Sequence, residues 1–399
     1  MTAYKVKFDK DHLISLDSLR GLAALSVVLF HISWNPIFSL SYARNSYLMV
    51  DFFFVLSGFV IALNYNDRIV DLATTSRFMW LRFWRLYPLH FTLLIVFLVM
   101  EIVRRTAHVH FNLEEHAPTY GINNGWAFLS NLFLVQALHL QNGLTFNIQA
   151  WSVSVEFYTY LVFALIVLTV RRVMLAALVI SIASALTLLA IGTRGLAYTY
   201  DFGFIRCLLG FFLGVLAYGA YRALHKEIDS RNASAAAYVR RISAAAAVIS
   251  ILAVIALLSF KPSSNYDFAL PILAAILVTS VAMTPNIGLS RFLRLKPIVW
   301  LGTVSYSIYM VQTAVTWVVV EYIIHVLKVP MDYLPQHPDE PFFPISNITG
   351  GFLAIVTVFV VLILSHFTFT YIEAPFRDWS KKTLLSRPRV GISHGAGNP

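Results

Sequence analysis

The chain has 399 residues, of which 58% are hydrophobic and only 13% charged, with 31 Phe, 19 Tyr and 8 Trp. Its formal charge of +10 sits on a mean hydropathy of +0.70, which excludes a string of soluble domains and points to an all-α polytopic membrane protein. The alternating ten-residue segments of a membrane barrel are missing, and the single cysteine, Cys207, excludes an internal disulfide, a zinc cluster or a thiol pair.

In chain order, residues 1–15 read as a basic N-terminal tail. Apolar runs then predict ten spans, at 16–34, 47–64, 84–104, 151–170, 173–191, 202–221, 242–260, 268–284, 299–325 and 348–371. The first is read as a retained span, because no small-residue cleavage pattern follows it. The loops divide 23 of the 30 Lys and Arg residues to one side and six to the other, and leave Arg206 inside a span. An excess of Lys and Arg marks the cytoplasmic side, so both termini are placed there, around one transmembrane domain of residues 16–373. Charge placed this way speaks for membrane lipids and against nucleic acid as a partner. Two outer segments are long, 105–150 and 326–347. The first holds a short apolar piece, Trp126 to Val135, expected to be re-entrant or interfacial because it is too short to cross. Residues 374–399 read as a basic cytoplasmic tail, partly disordered.

Polar residues inside these runs are the next signal. Arg20 opens an apolar helix and His31 follows eleven residues later, about 16 Å along the axis and roughly half the hydrocarbon core of a bilayer. Ionisable groups at such depths are costly and mark functional sites. On the ten-span reading His31, Asp51 and Glu156 all fall in the outer half. An imidazole takes a proton from an alcohol near neutral pH, and a carboxylate beside it orients the ring and stabilises its cation. An interhelical polar network is the plainer alternative.

At the cytoplasmic side Asp17, Arg20, Arg82 and Arg85 gather, the last two on one helical face. Their forks suit the phosphates of an anionic donor; anchoring to lipid headgroups accounts for them equally well. Ser57 and Gly58 permit close approach of a helix or a ligand chain. Tyr306, Tyr309 and Gln312 fall on one face, and Glu373 precedes Pro375, which is expected to end the last span. His108, His110 and Glu114 lack a second set of ligands, so no metal is expected.

Taken as ordered blocks, the chain resembles acyltransferase family 3, integral membrane proteins that acylate sugars and other acceptors. The family's pattern of a basic residue, ten intervening residues and a histidine is met by Arg20 and His31, and its aromatic block by Asp51-Phe-Phe-Phe-Val-Leu-Ser-Gly-Phe59. Arg82, Arg85 and Pro88 match its arginine-rich third span, Trp151-Ser-Val-Ser-Val-Glu156 its W-S-x-S-x-E block, Ser305 to Tyr309 its S-Y-S-x-Y segment, and Glu373 to Arg377 its E-x-P-F-R ending. Gln312 stands where that tyrosine segment often ends in histidine, which weakens a proton-transfer role there. Some members add a C-terminal SGNH-type esterase domain, for which this chain is too short, so transfer is expected from the membrane domain alone or with a separate partner.

The resemblance implies an O-acyltransferase of the cell inner (plasma) membrane. It would move an acyl group, acetyl foremost, from cytoplasmic acetyl-CoA or another acyl-CoA to a hydroxyl of a glycan or lipid-linked glycan. Polysaccharide synthesis and export proteins are further expected partners. His31 is the expected general base, with Glu156 and Asp51 as its carboxylates. Arg20, Arg82, Arg85, Ser57, Tyr306 and Tyr309 are expected to hold the donor. Direct transfer and an acyl-histidine intermediate both fit. A proton-coupled transporter or flippase using the same polar residues is the rival reading, and a membrane scaffold or sensor a third. Transport leaves the mass of its substrate unchanged, whereas transfer adds to it.

Overall fold

The computed structural model describes residues 10–32, 34, 40–111, 123–192, 194–230, 233–284, 288–334 and 337–385. Most of the basic N-terminal tail, Glu114 and the chain beyond residue 385 lie outside these.

An apolar run inside a bilayer must satisfy its backbone hydrogen bonds within itself, so these runs become helices. Helix α1 (Lys10–Phe30) leads to His31, and α2 (Ser41–Asn45) passes through a single 3-10 turn into α3 (Met49–Tyr65). Helix α4 (Leu72–Phe111) runs for 40 residues straight through Pro88, and α5 (Gly125–Leu132) is one short piece. Then come α6 (Ala150–Thr169), α7 (Val173–Ile191), α8 (Gly203–Ser230), α9 (Ala233–Phe260) and α10 (Ala269–Met283). Two short helices, α11 (Leu289–Leu293) and α12 (Lys296–Thr303), precede α13 (Ser305–His325). Strands β1 (Asp332–Leu334) and β2 (His337–Phe342) pair antiparallel, with Asp332 opposite Phe342, and form a small ribbon in the proline-rich outer segment. Helix α14 (Asn347–Thr368) closes the bundle, followed by α15 (Ala374–Leu385).

Among the described residues nine helical segments are long and apolar enough to cross a membrane, so this is a multi-pass, all-α membrane protein. The expected first span corresponds to α1, whose first residues lie outside that count. Helix α1 carries Asp17 and Arg20 in its first half, and its apolar side chains are enclosed by protein, with Leu16, Leu19, Ala24, Val27 and Val28 all buried. The opposite holds for α7, where Leu175, Val179, Ile182 and Leu186 are exposed, as lipid contact requires. Pro375 does not end the last span. A π-helical turn at Phe369–Glu373 lets the chain pass into α15, because a wider turn takes up the backbone bond that proline cannot make.

The described part of residues 105–150 is no free loop. Helix α5 buries Ala127, Ser130 and Asn131 and leaves Trp126 and Leu129 exposed, so one face lies on the bundle. The chain after it is buried at Leu134, Gln136, Thr145, Phe146, Asn147 and Gln149.

Close helix contacts rest on glycines. A Cβ at Gly58 would overlap the Phe211 carbonyl, and one at Gly214 the Val55 carbonyl, so α3 and α8 meet backbone to backbone. Gly21 and Gly302 do the same between α1 and α12. Small residues at such seams are what lets helices associate where no hydrophobic force drives them together. Gly58→Val is therefore expected to lower stability by at least the about 1–3 kcal/mol typical of overpacking. A thermal melt of the purified protein in detergent measures this, and Ser57→Ala beside it should melt nearer the parent.

Candidate active site

A cavity of about 320 Å³ lies between α1, α3, α4, α6 and α13, at the small end of ligand pockets, which run about 300–1,000 Å³. Arg20, Ser57, Arg82, Arg85, Tyr306 and Tyr309 all line it, as does Glu156. Seven residues read from five separate stretches of sequence thus share one space. His31 and Asp51 are not among its lining.

The three arginines differ in how far protein already satisfies them. Arg20 is committed: its Nε donates to Ser305 Oγ at 2.8 Å, Nη2 donates to the Gly302 carbonyl at 3.4 Å, and Nη2 stands 3.1 Å from Asp17 Oδ1. It braces α1 against the break between α12 and α13. Arg82 is under-committed. Its Nη2 reaches only Tyr65 Oη, at 3.5 Å, its guanidinium lies over the Tyr65 ring at 5.5 Å, and its buried Nε has no hydrogen-bond partner. Arg85 lies within electrostatic reach of Glu373, Tyr160, Asp17 and Glu156. Glu373 is 3% exposed and accepts from Ser307 Oγ at 3.2 Å, so the inner carboxylate has both a hydroxyl and an arginine field. An orphaned guanidinium N–H in a cavity wall is a ready donor for an anion.

Glu156 does not meet His31. Its Oε1 accepts from Tyr160 Oη at 2.7 Å, and Tyr160 Oη lies 3.1 Å from Ser57 Oγ, so the carboxylate belongs to a hydrogen-bonded patch of the cavity wall. One helical turn separates Glu156 and Tyr160 on α6, which decides the pairing. Tyr306 Oη donates to the Leu86 carbonyl at 2.7 Å. Tyr309 Oη lies 2.8 Å from Ser152 Oγ and 3.4 Å from the Gln149 carbonyl.

Gln149 is the link that sequence reasoning missed. His31 Nδ1 lies 2.8 Å from the Val27 carbonyl one turn back, and Nε2 lies 2.6 Å from Gln149 Nε2. One arrangement satisfies both contacts: the ring proton on Nδ1 donates to the carbonyl, and the Nε2 lone pair accepts from the amide. The imidazole is thus held neutral in form, with its basic nitrogen turned to the residue whose carbonyl faces Tyr309. Only the position of Gln149, two residues before the Trp151 block, hinted at such a role.

Asp51 is a correction too. The structure places it in a buried fork with Arg206, Oδ1 2.9 Å from Nε and Oδ2 2.7 Å from Nη2, each side chain 1% exposed. Arg206 also donates to the Tyr198 and Tyr47 carbonyls and lies 5.2 Å over the Trp151 ring. Asp267 and Lys261 extend the network: Tyr47 Oη and Lys261 Nζ each donate to Asp267 at 2.7 Å. A lone in-span arginine and a lone in-span aspartate were each visible in the sequence, and charge neutrality in an apolar medium is the signal that would have paired them.

A multi-pass helical bundle enclosing an arginine-lined cavity, with a histidine held outside its lining by Gln149 and the Val27 carbonyl, defines the class of molecule. The chain belongs to the acyltransferase-domain family, whose profile matches residues 13–367. It is 28% identical over 395 residues to the acyltransferase MdmB of Streptomyces mycarofaciens, covering 90% of both chains. It is 24% identical over 389 residues to the peptidoglycan O-acetyltransferase OatA of Listeria monocytogenes, covering 93% of this chain and 57% of that one. With the O-acetyltransferase OatA of Staphylococcus aureus it shares 22% over 408 residues, 95% of this chain and 59% of that one. The chain thus spans somewhat over half the length of the OatA relatives. No solved structure matches it.

Removing either partner of the Asp51–Arg206 fork leaves a buried charge uncompensated, a loss of about 3–5 kcal/mol. Asp51→Leu and Arg206→Met should each yield little folded protein by size-exclusion chromatography. The double variant Asp51→Leu/Arg206→Met should recover part of the folded yield and fall short of the parent, because the Tyr198 and Tyr47 carbonyls lose their donor.

Proposed function

We propose that this protein is an O-acyltransferase that takes an acyl group, acetyl foremost, from an acyl-CoA on the cytoplasmic side and gives it to a hydroxyl of a glycan on the other. One observation carries the reading: a single cavity joins the unpartnered Nε of Arg82, with Arg85 beside it, at one end to Ser152 and Tyr309, one hydrogen bond from Gln149, at the other. Arg82 and Arg85 would hold the donor's phosphates, and the narrow remainder suits its extended arm better than a whole nucleotide. Arg20, spent on Asp17, Gly302 and Ser305, is the brace that keeps the arginine end in shape. The excess of Lys and Arg on one side supports a cytoplasmic position for that end and for both termini.

His31 is the base. Its Nε2 lone pair, now accepting from Gln149, is the site for an acceptor O–H, and the incoming hydroxyl takes the place of the amide. The proton passes to Nε2, the hydroxyl oxygen forms an ester bond with the acyl carbon, the thioester C–S bond breaks, and the proton then leaves on the thiol. The Val27 carbonyl, fixed on Nδ1–H, keeps the ring in the tautomer this needs. Gln149 and Tyr309 are the donors nearest to where the carbonyl oxygen would gain charge. Transfer by the membrane domain to a glycan or lipid-linked glycan accords with the peptidoglycan activity named for the Listeria relative.

Reconstituted with acetyl-CoA and the host's own glycans, wild-type protein is expected to add acetyl mass to a glycan, read by mass spectrometry. His31→Ala should lose about 100-fold or more of that rate while keeping the parental melting temperature. A wild-type protein that moves glycan without changing its mass would make it a transporter instead.

The arginines separate by readout. Arg82→Gln should raise KM for acetyl-CoA about tenfold or more, since a charge-assisted hydrogen bond is worth about 1.5–3 kcal/mol, with little change in melting temperature. Arg20→Ala should lower the melting temperature first.

A further inference from the structure

The aromatic block from Asp51 to Phe59 sets three consecutive phenylalanines near the start of α3, and the structure gives them unequal surroundings. Phe52 and Phe54 are 4% and 2% exposed. Phe54 packs on Trp151 and along the α8 seam, where a Cβ at Gly210 would meet it. Phe53 is only partly buried. It lines the arginine-bearing cavity, its ring edge-on to that of Tyr309 with 5.6 Å between centroids. Nothing in the transfer step above uses this ring.

Three helices agree on where the cavity ends. Among the described residues its lining begins at Val50 on α3 and at Ser152 on α6, and goes no further than Tyr309 on α13. Val50, Phe53, Phe54, Ser152, Val153 and Tyr309 make up this end, and none of them carries a charge. Arg82 marks the other end, with its Nη2 3.5 Å from Tyr65 Oη. Tyr65 follows Phe53 by twelve positions on α3, which is about 18 Å along the axis.

That length decides what fits. Between pyrophosphate and sulfur, the arm of an acyl-CoA is a chain of about twelve bonds, as many as the backbone of about four residues, and spans about 14 Å when extended. With the phosphates at Arg82, the sulfur stops about 4 Å short of Phe53, which is the room of a two- or three-carbon acyl group. Its carbonyl would then lie beside Tyr309, whose Oη reaches the Gln149 carbonyl at 3.4 Å, and Gln149 meets His31. A longer chain would run into the Phe53 ring.

We propose that Phe53 is the stop that restricts this enzyme to acyl groups of two or three carbons. The proposal rests on the acyl-transfer reading for the identity of the donor and goes beyond it in naming the residue that sets acyl length. A smaller side chain at Phe53 lengthens the slot, whereas trimming Phe54 would loosen the contact between α3 and α8 instead.

The test uses the full chain in lipid nanodiscs, with the host's own glycans and an equimolar mixture of acetyl-, propionyl-, butyryl- and hexanoyl-CoA. Mass spectrometry of the glycans reads which acyl groups were transferred, and their ratios report relative kcat/KM. Affinity for each acyl-CoA and melting temperature are measured alongside. A fitted pocket discriminates one methylene by about 10–200-fold, so wild-type protein is expected to favour acetyl and propionyl over hexanoyl by about tenfold or more. Phe53→Leu and Phe53→Ala should each raise the hexanoyl-to-acetyl ratio about tenfold. A purely structural role would slow every donor alike and leave the ratio where it was. Should Phe53→Ala misfold, Phe53→Leu decides. Wild-type protein that transfers hexanoyl as readily as acetyl, or folded variants with the parental ratio, would overturn the stop. Where no acyl group is transferred from any donor, the acyl-transfer reading falls and affinity judges the stop. It then stands if Phe53→Leu tightens hexanoyl-CoA relative to acetyl-CoA, and falls if the two keep their parental ratio.

Discussion

The fork between Asp51 and Arg206 is the interaction on which the rest of this bundle depends. Two unpaired charges at that depth are not sustainable in an apolar medium, and paired they fasten α3 to α8 at the top of a glycine-lined seam. The same guanidinium holds the Tyr198 and Tyr47 carbonyls and lies on the Trp151 ring, so it also sets where α6 begins. The stretch from Asn147 to Ser152 is thereby fixed, and Ser152 at its end lines the arginine-lined cavity. Specificity of arrangement, more than raw stability, is what such a buried pair supplies here.

From that fixed wall the division of labour among polar groups follows. Asp51, Arg206, Asp267 and Lys261 complete one another and have little left to offer a ligand. Arg20 is nearly as fully engaged, though it lines the cavity. Among the described residues that line the cavity, the buried side-chain atom left without a hydrogen-bond partner is Arg82 Nε. On the proposed acyl-transfer reading, that spare donor is what the phosphates of an acyl-CoA would meet. Counting what remains unsatisfied separates the binding residues from the framework better than counting charges does.

Much of this was legible without coordinates. The apolar runs located the long helices, because a bilayer permits no other backbone solution, and the edges of α7 at residues 173 and 191 coincide with the run itself. Seven of the nine chosen site residues fall on one cavity, since ionisable and aromatic residues in such runs are there for a reason. What misled was proximity inferred from depth. The spans put His31, Asp51 and Glu156 at similar expected depth, yet the carboxylates face Arg206 and Tyr160, and depth says nothing about which way a helix is turned. Pro375 misled as well, because a π turn before it takes up the missing donor.

The sequence by itself determined the solvent, the helices and the family pattern, all of which follow from composition and short-range spacing along one chain. Only the tertiary structure decided partners. Gln149 reaches His31 across 118 positions, Arg206 reaches Asp51 across 155 and Arg20 reaches Ser305 across 285. Pairings of that kind depend on the rotation and packing of whole helices, which glycine seams and buried forks fix in three dimensions and no local pattern records.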